Sequence, residues 1–136
     1  MSNDFSNLKF STLRYANLLR LPKFKNSKGE LAHKESDGSD WSLGDWMTAL
    51  TGEVGEAANI LKKIKRGDVS LEESQENLAR EFADIQIYLD ILAYRCGINL
   101  SKAVVEKFNE VSDRVGADVF IIGENLTCFR EVKQNG

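Results

Sequence analysis

One proline, two cysteines and one histidine are all that 136 residues contain of three residue types that often punctuate, staple or ligate a chain. Each scarcity excludes something. With Pro22 alone and no low-complexity tract there is no internal linker, so one domain is expected across residues 1–136. Cys96 and Cys128 make neither a CxxC pair nor a dense framework, and they read as free thiols in a reducing compartment. The lone His33 removes the Glu-x-x-His pairs that di-iron and di-manganese bundles need on facing helices. Charge of one sign is also missing. The balance of 18 Lys and Arg against 21 Asp and Glu, with a pI near 5.3, has no basic footprint for nucleic acid. No apolar run approaches a membrane span or a secretory signal core. Neither nucleic acid nor membrane is therefore an expected partner. What remains, 42% hydrophobic and 29% charged, is the make-up of a globular protein with a real core.

The apolar residues that are there recur mostly with a helical period. A first helix is expected from about Asp4 to Leu21, ended by Pro22, with Phe5, Leu8, Leu13 and Leu18 on its apolar side. Residues 23–41 are polar and turn-rich, which predicts a long surface loop, either a binding loop or a mobile connector. Ser42, with Asp45 three residues on, opens a second helix whose stripe is Trp46, Leu50, Val54, Ala57, Leu61 and Ile64. A third runs from about Leu71 to Arg95 with Gly97 as its stop, and takes Leu78, Phe82, Ile85, Leu89 and Leu92 as core. A fourth covers roughly Leu100 to Val115, with Ala103, Val104, Phe108 and Val111 inward and Gly116 after it. Beyond it, Val119-Phe120-Ile121-Ile122 suits either a short strand pair or a packing arm. The class expected is all-α: a four-helix bundle core with a short irregular or β-like C-terminal arm.

Two acidic pairs organise this pattern. Glu53 and Glu56 lie three apart in the second helix, and Glu81 and Asp84 lie three apart in the third, so each pair shares a helix face. Both pairings, Glu56 with Glu81 and Glu53 with Asp84, have their midpoint between Asp68 and Val69. There a basic run ending in Gly67 meets Ser70, a helix stop back to back with a helix start. Antiparallel helices folded about that turn bring the four acids level, roughly 19 Å from its tip at about 1.5 Å per residue. A Glu-x-x-Glu pair taken alone is usually a solvated helix face. These acids, however, border apolar residues and have no basic neighbour, so something cationic is needed between them. An all-oxygen site suits Mg²⁺, with Mn²⁺ as a substitute. Such a site can serve a polyphosphate, with Lys107 and Arg114, two turns apart on the fourth helix, as cations for it. Lys63, seven residues after Glu56, is a further candidate.

Glu53-x-x-Glu56, then about two dozen residues, then Glu81-x-x-Asp84, then a basic helix resembles the MazG family of all-α nucleoside triphosphate pyrophosphohydrolases. The resemblance covers roughly residues 41–116. Residues 50–59, LTGEVGEAAN, followed by Lys107 to Ser112, KFNEVS, are similar to the MazZ or dATP/dGTP diphosphohydrolase branch found in bacteriophages. One departure is Gly52, where many members carry a further Glu, and this leaves the number of metal ions open.

The resemblance implies cleavage of a (deoxy)nucleoside triphosphate between its α- and β-phosphates, to the monophosphate and pyrophosphate. Glu53, Glu56, Glu81 and Asp84 would be both metal ligands and catalytic acids, one of them serving as general base. Lys107 and Arg114 would hold the β- and γ-phosphates. Tyr88, one turn past Asp84, would meet sugar or phosphate, or else pack at the bundle seam. Asn109 is a further polar candidate contact, and Trp41 and Trp46 could stack on a base, core packing being the competing role for Trp46. A purine nucleotide such as dGTP is the expected substrate, with dUTP or dCTP as the alternative. A non-catalytic helical interaction module is the reading from a different class. A homodimer or homotetramer acting on the nucleotide pool, in the host cytoplasm if phage-encoded, completes what the resemblance implies.

Overall fold

The computed structural model describes residues 8–122 and the backbone of Leu126–Phe129. The expected positions Asp4 and Phe5 lie outside that range, as do residues 123–125.

Four helices carry most of the described chain: α1 Phe10–Arg20, α2 Leu43–Arg66, α3 Leu71–Arg95 and α4 Leu100–Val115. The boundaries follow the local chemistry. Pro22 sits in a single 3-10 turn, Leu21–Lys23, directly after α1. α2 and α3 each open with a full capping box, Ser42 with Asp45 and Ser70 with Glu73, in which side chain and backbone satisfy one another at both positions. α2 stops at Gly67, whose φ of 79° is the left-handed conformation that closes a helix and that a side chain disfavours. Only four residues, 67–70, separate it from α3, so the two helices fold back on each other as a hairpin. No helix among the described residues is long and apolar enough to cross a membrane.

The chain divides into two compact units, 1–98 and 99–136. In the first, Leu21, Trp46, Leu50, Ile91 and Leu92 make the core, with Trp41, Ile85, Ile87, Tyr88 and Leu89 packed against it. α1 is held to α3 by a buried polar joint. Asp90, almost wholly buried, receives Arg14 Nε at 3.0 Å and Asn17 Nδ2 at 2.9 Å. Arg14 also donates to the carbonyls of Asp90 and Ile98 and lies over the Tyr94 ring. Going up α1 from Arg14 to Asn17 thus goes down α3, and the two helices are antiparallel. In the second unit, Asn99 caps α4 by accepting from Lys102 N–H at 3.0 Å. Strand β1, Val119–Ile122, pairs antiparallel with β2, Leu126–Phe129. The tail is therefore a strand pair, a choice the sequence left open.

Several expected core positions are exposed. Val54 and Leu61 on α2, Phe82 on α3, and Val104 and Phe108 on α4 each show two-fifths or more of their surface. The apolar stripes are wider than the faces these helices cover. α2 buries Trp46, Leu50 and Ala57, while Val54 and Leu61 lie around the helix from that line.

The loop also departs from a plain surface connector. Lys25 and Leu31 form a β-bridge closed over Asn26, whose Oδ1 accepts from the backbone N–H of Lys28 and Glu30. His33 is buried, stacked on Trp46 with centroids 5.2 Å apart and edge-on to Trp41 at 4.9 Å. Gly38 has φ 73°, and a Cβ there would lie 2.8 Å from the Trp46 ring, so only glycine allows the loop this close. Trp46 Nε1–H donates to Gly38 O at 3.1 Å.

Candidate functional site

The hairpin brings three acids together. Glu53 on α2 and Glu81 and Asp84 on α3 each offer a carboxylate oxygen, and these oxygens all lie within 4.8 Å of one another. The cause is the register described above: Gly67 and the Ser70 box set the turn, and helical rise then brings residues on either side of it level. Glu53 and Glu81 are half-buried. Burial raises the Glu53 carboxyl above its ordinary range, and the charges of Asp84, Glu56 and Glu81, with a hydrogen bond to Glu81, push it the same way. The site is thus electrostatically frustrated by itself. Its oxygens have the hardness and spacing to hold a cation such as Mg²⁺ or Mn²⁺.

Glu56 stands apart. It is exposed and outside the group of three, though its charge is felt at Glu53. Three residues turn a helix by about 300°, so Glu56 lies roughly 60° around α2 from Glu53 and does not share its direction.

Tyr88 lies one turn from Asp84 and is half-buried, its ring 6.2 Å from that of Trp46. Burial raises its hydroxyl above the usual tyrosine value, Glu53 and Asp84 add to the rise, and Arg20 opposes it. The phenol therefore stands in the field of the acid group, with its body on the aromatic core.

The other candidates separate. Trp46 is a core residue: its ring is covered by His33 and Trp41 and its N–H is bonded to Gly38, so no face is left for a base. Trp41, half-buried, keeps more of its ring open. Lys63 is exposed in the last turn of α2, two turns beyond Glu56. In the second unit, Asn109 is committed to the backbone, with Nδ2 donating to Ile121 O at 2.9 Å and Oδ1 accepting from Ile121 N–H at 2.8 Å. That ties β1 to α4 and engages one donor and one acceptor of the amide. Lys107 pairs with Glu110 on its own helix, and Arg114 is exposed in the last turn of α4.

Two features went unread in the sequence. Asp90 sits within the apolar run Ile85 to Ala93, and a charge inside such a run is itself a signal of a buried pair. His33 and Gly38 lie in a polar stretch, and only the folded loop shows them against tryptophan. Compared with models of known families, with curated proteins and with solved structures, the chain gives no match.

Proposed function

We propose that this chain is a Mg²⁺-dependent nucleoside triphosphate pyrophosphohydrolase of the MazG type, acting on a purine deoxynucleotide such as dGTP. The observation that carries the reading is the convergence of Glu53, Glu81 and Asp84 oxygens within 4.8 Å. Half-buried, mutually repelling carboxylates are costly unless a cation joins them, and a cation held by acids alone keeps affinity for phosphate oxygens. Bound there, Mg²⁺ would neutralise phosphate charge and acidify a water. Glu53, Glu81 and Asp84 would orient the metal-bound triphosphate. Glu56, one turn along and outside the group of three, is the acid left to accept a proton from water. Tyr88 would contact the sugar or the α-phosphate at the aromatic end of the site.

The test is an incubation of the full chain with all eight (d)NTPs and Mg²⁺, read as release of pyrophosphate and monophosphate. Hydrolysis is expected for a purine deoxynucleotide in wild type and loss of most of it in Glu81→Gln. A pyrimidine preference would change the substrate but keep the reaction. Absence of turnover together with a melting temperature indifferent to Mg²⁺ and Mn²⁺ would favour the non-catalytic helical module.

A further inference from the structure

We propose that Arg20, at the end of α1, binds a phosphate oxygen of the anion held at Glu53, Glu81 and Asp84. This inference rests on the metal-site reading above and adds to it a cation from a third helix.

The first observation is register. Asn17 meets Asp90 at 2.9 Å, and α1 and α3 run antiparallel. Three residues further up α1 and about three further down α3 puts Arg20 level with Ile87 and Tyr88, one turn from Asp84. Leu21, the next residue, is buried in the core beside Trp46, which fixes the end of α1 against this part of the hairpin.

The second observation is the state of the guanidinium. Residues 8–98 contain five arginines, and four have an acidic partner: Arg14 with Asp90, Arg66 with Asp68, Arg80 with Glu76 and Arg95 with Asp37. Arg20 is the exception among these five, with no acidic partner among the described residues. It is exposed, and its contact is with the Phe24 ring, 5.4 Å from the centroid. A guanidinium resting on a ring keeps its N–H fork free for a planar or tetrahedral oxyanion while losing side-chain freedom. Phe24 is held in turn, edge-on to the buried His33. The charge of Arg20 also reaches the Tyr88 hydroxyl, where it acts against Glu53 and Asp84. Cation and acids thus act on one phenol in opposite senses.

The chemistry favours such a residue. Three carboxylates and a polyphosphate together outweigh the charge of one divalent ion, so a fixed cation at the rim lowers the remaining repulsion. Arginine, with two parallel donors, also orients the phosphate.

Titration calorimetry of the full chain with inorganic tripolyphosphate, in Mn²⁺, tests this without requiring turnover. Arg20→Ala is expected to weaken binding about 10- to 100-fold, the range of a charge-assisted hydrogen-bonded contact. Arg20→Lys should fall between, and Lys28→Ala, at the tip of the loop, should bind as wild type does. The rise in melting temperature produced by Mn²⁺ alone should be the same in all four proteins. Unchanged tripolyphosphate affinity in Arg20→Ala, with the metal effect intact, would overturn the role of Arg20 and leave the metal site standing. A lost metal effect in Arg20→Ala would also overturn it, since Arg20 would then be supporting the acid cluster itself. A wild type that responds to neither metal nor tripolyphosphate would overturn both.

Discussion

Glu53 is where the energetics of this chain are most exposed to experiment. Its carboxyl is raised from an ordinary value of 4.5, so the folded chain holds that proton more tightly than the unfolded one. Stability of the metal-free protein should therefore fall as pH rises from about 4.5 through the raised value, and stay lower at neutral pH. Glu53→Gln removes the charge and keeps the shape. Metal-free, it should melt at or above the wild-type temperature at pH 7, with the difference closing as pH is lowered to 4.5. Mn²⁺ should raise the melting temperature of the wild type more than that of the variant. A metal-free variant far less stable than wild type at pH 7 would mean that the acid holds the fold through attraction. Asp90 is the opposite case, a buried carboxylate with its partners in place. Arg14→Ala strands it, and the expected loss is about 3–5 kcal/mol in urea unfolding, far above an exposed ion pair. A loss below about 1 kcal/mol would show that Asn17 alone satisfies Asp90.

At the scale of the element, the α2–α3 hairpin is the unit that makes the site. Both of its helices start with a capping box, and Asp45 and Glu73 are each held below the ordinary carboxyl range by hydrogen bonds from their serines. The sign is the reverse of that at Glu53. The caps are at full strength above about pH 4.5 and weaken as pH falls through the lowered values. Ser70→Ala removes the side-chain acceptor at the start of α3 and should cost about 1 kcal/mol. Because Ser70 is close to the turn and far from the acids along α3, Mn²⁺ binding by the variant should match wild type. If metal binding were lost with the cap, the register at the turn would be controlling the acid cluster more steeply than helix geometry alone implies. The loop before α2 packs on the same aromatic group: His33, Gly38 and Trp41 cover Trp46, whose ring lies 6.2 Å from that of Tyr88.

At the scale of the molecule, the apolar surface left uncovered matters most. Met47, Val54 and Leu61 recur every seven residues along α2 and are each close to half exposed. Phe82 on α3 is exposed to a similar degree. A continuous apolar line on one helix favours association. The chain is expected to form a homo-oligomer in light scattering at micromolar concentration, and Val54→Lys or Leu61→Lys should shift it towards the monomer mass. A monomer mass for the wild type would remove the expectation.

Helix ends, the turn and the spacing of the acids were legible from residues alone, because each depends on interactions within a few positions. Ser42 and Ser70 cap, Gly67 stops, and helical rise carries the register from that turn to Glu53, Glu81 and Asp84. The sequence by itself thus determined an α-helical hairpin with acids at matching height. Which of the four acids would meet was a tertiary matter. It depends on side-chain direction around α2, and a difference of three residues puts Glu56 outside the cluster and Glu53 within it. The same holds for the wide apolar stripes, where packing chose Trp46, Leu50 and Ala57 over Val54 and Leu61. Asp90 joined to Arg14 across 76 positions, and His33 laid on Trp46, are likewise pairings between distant segments. Burial and charge pairing at such separations depend on what the rest of the chain brings alongside, and no local pattern records it.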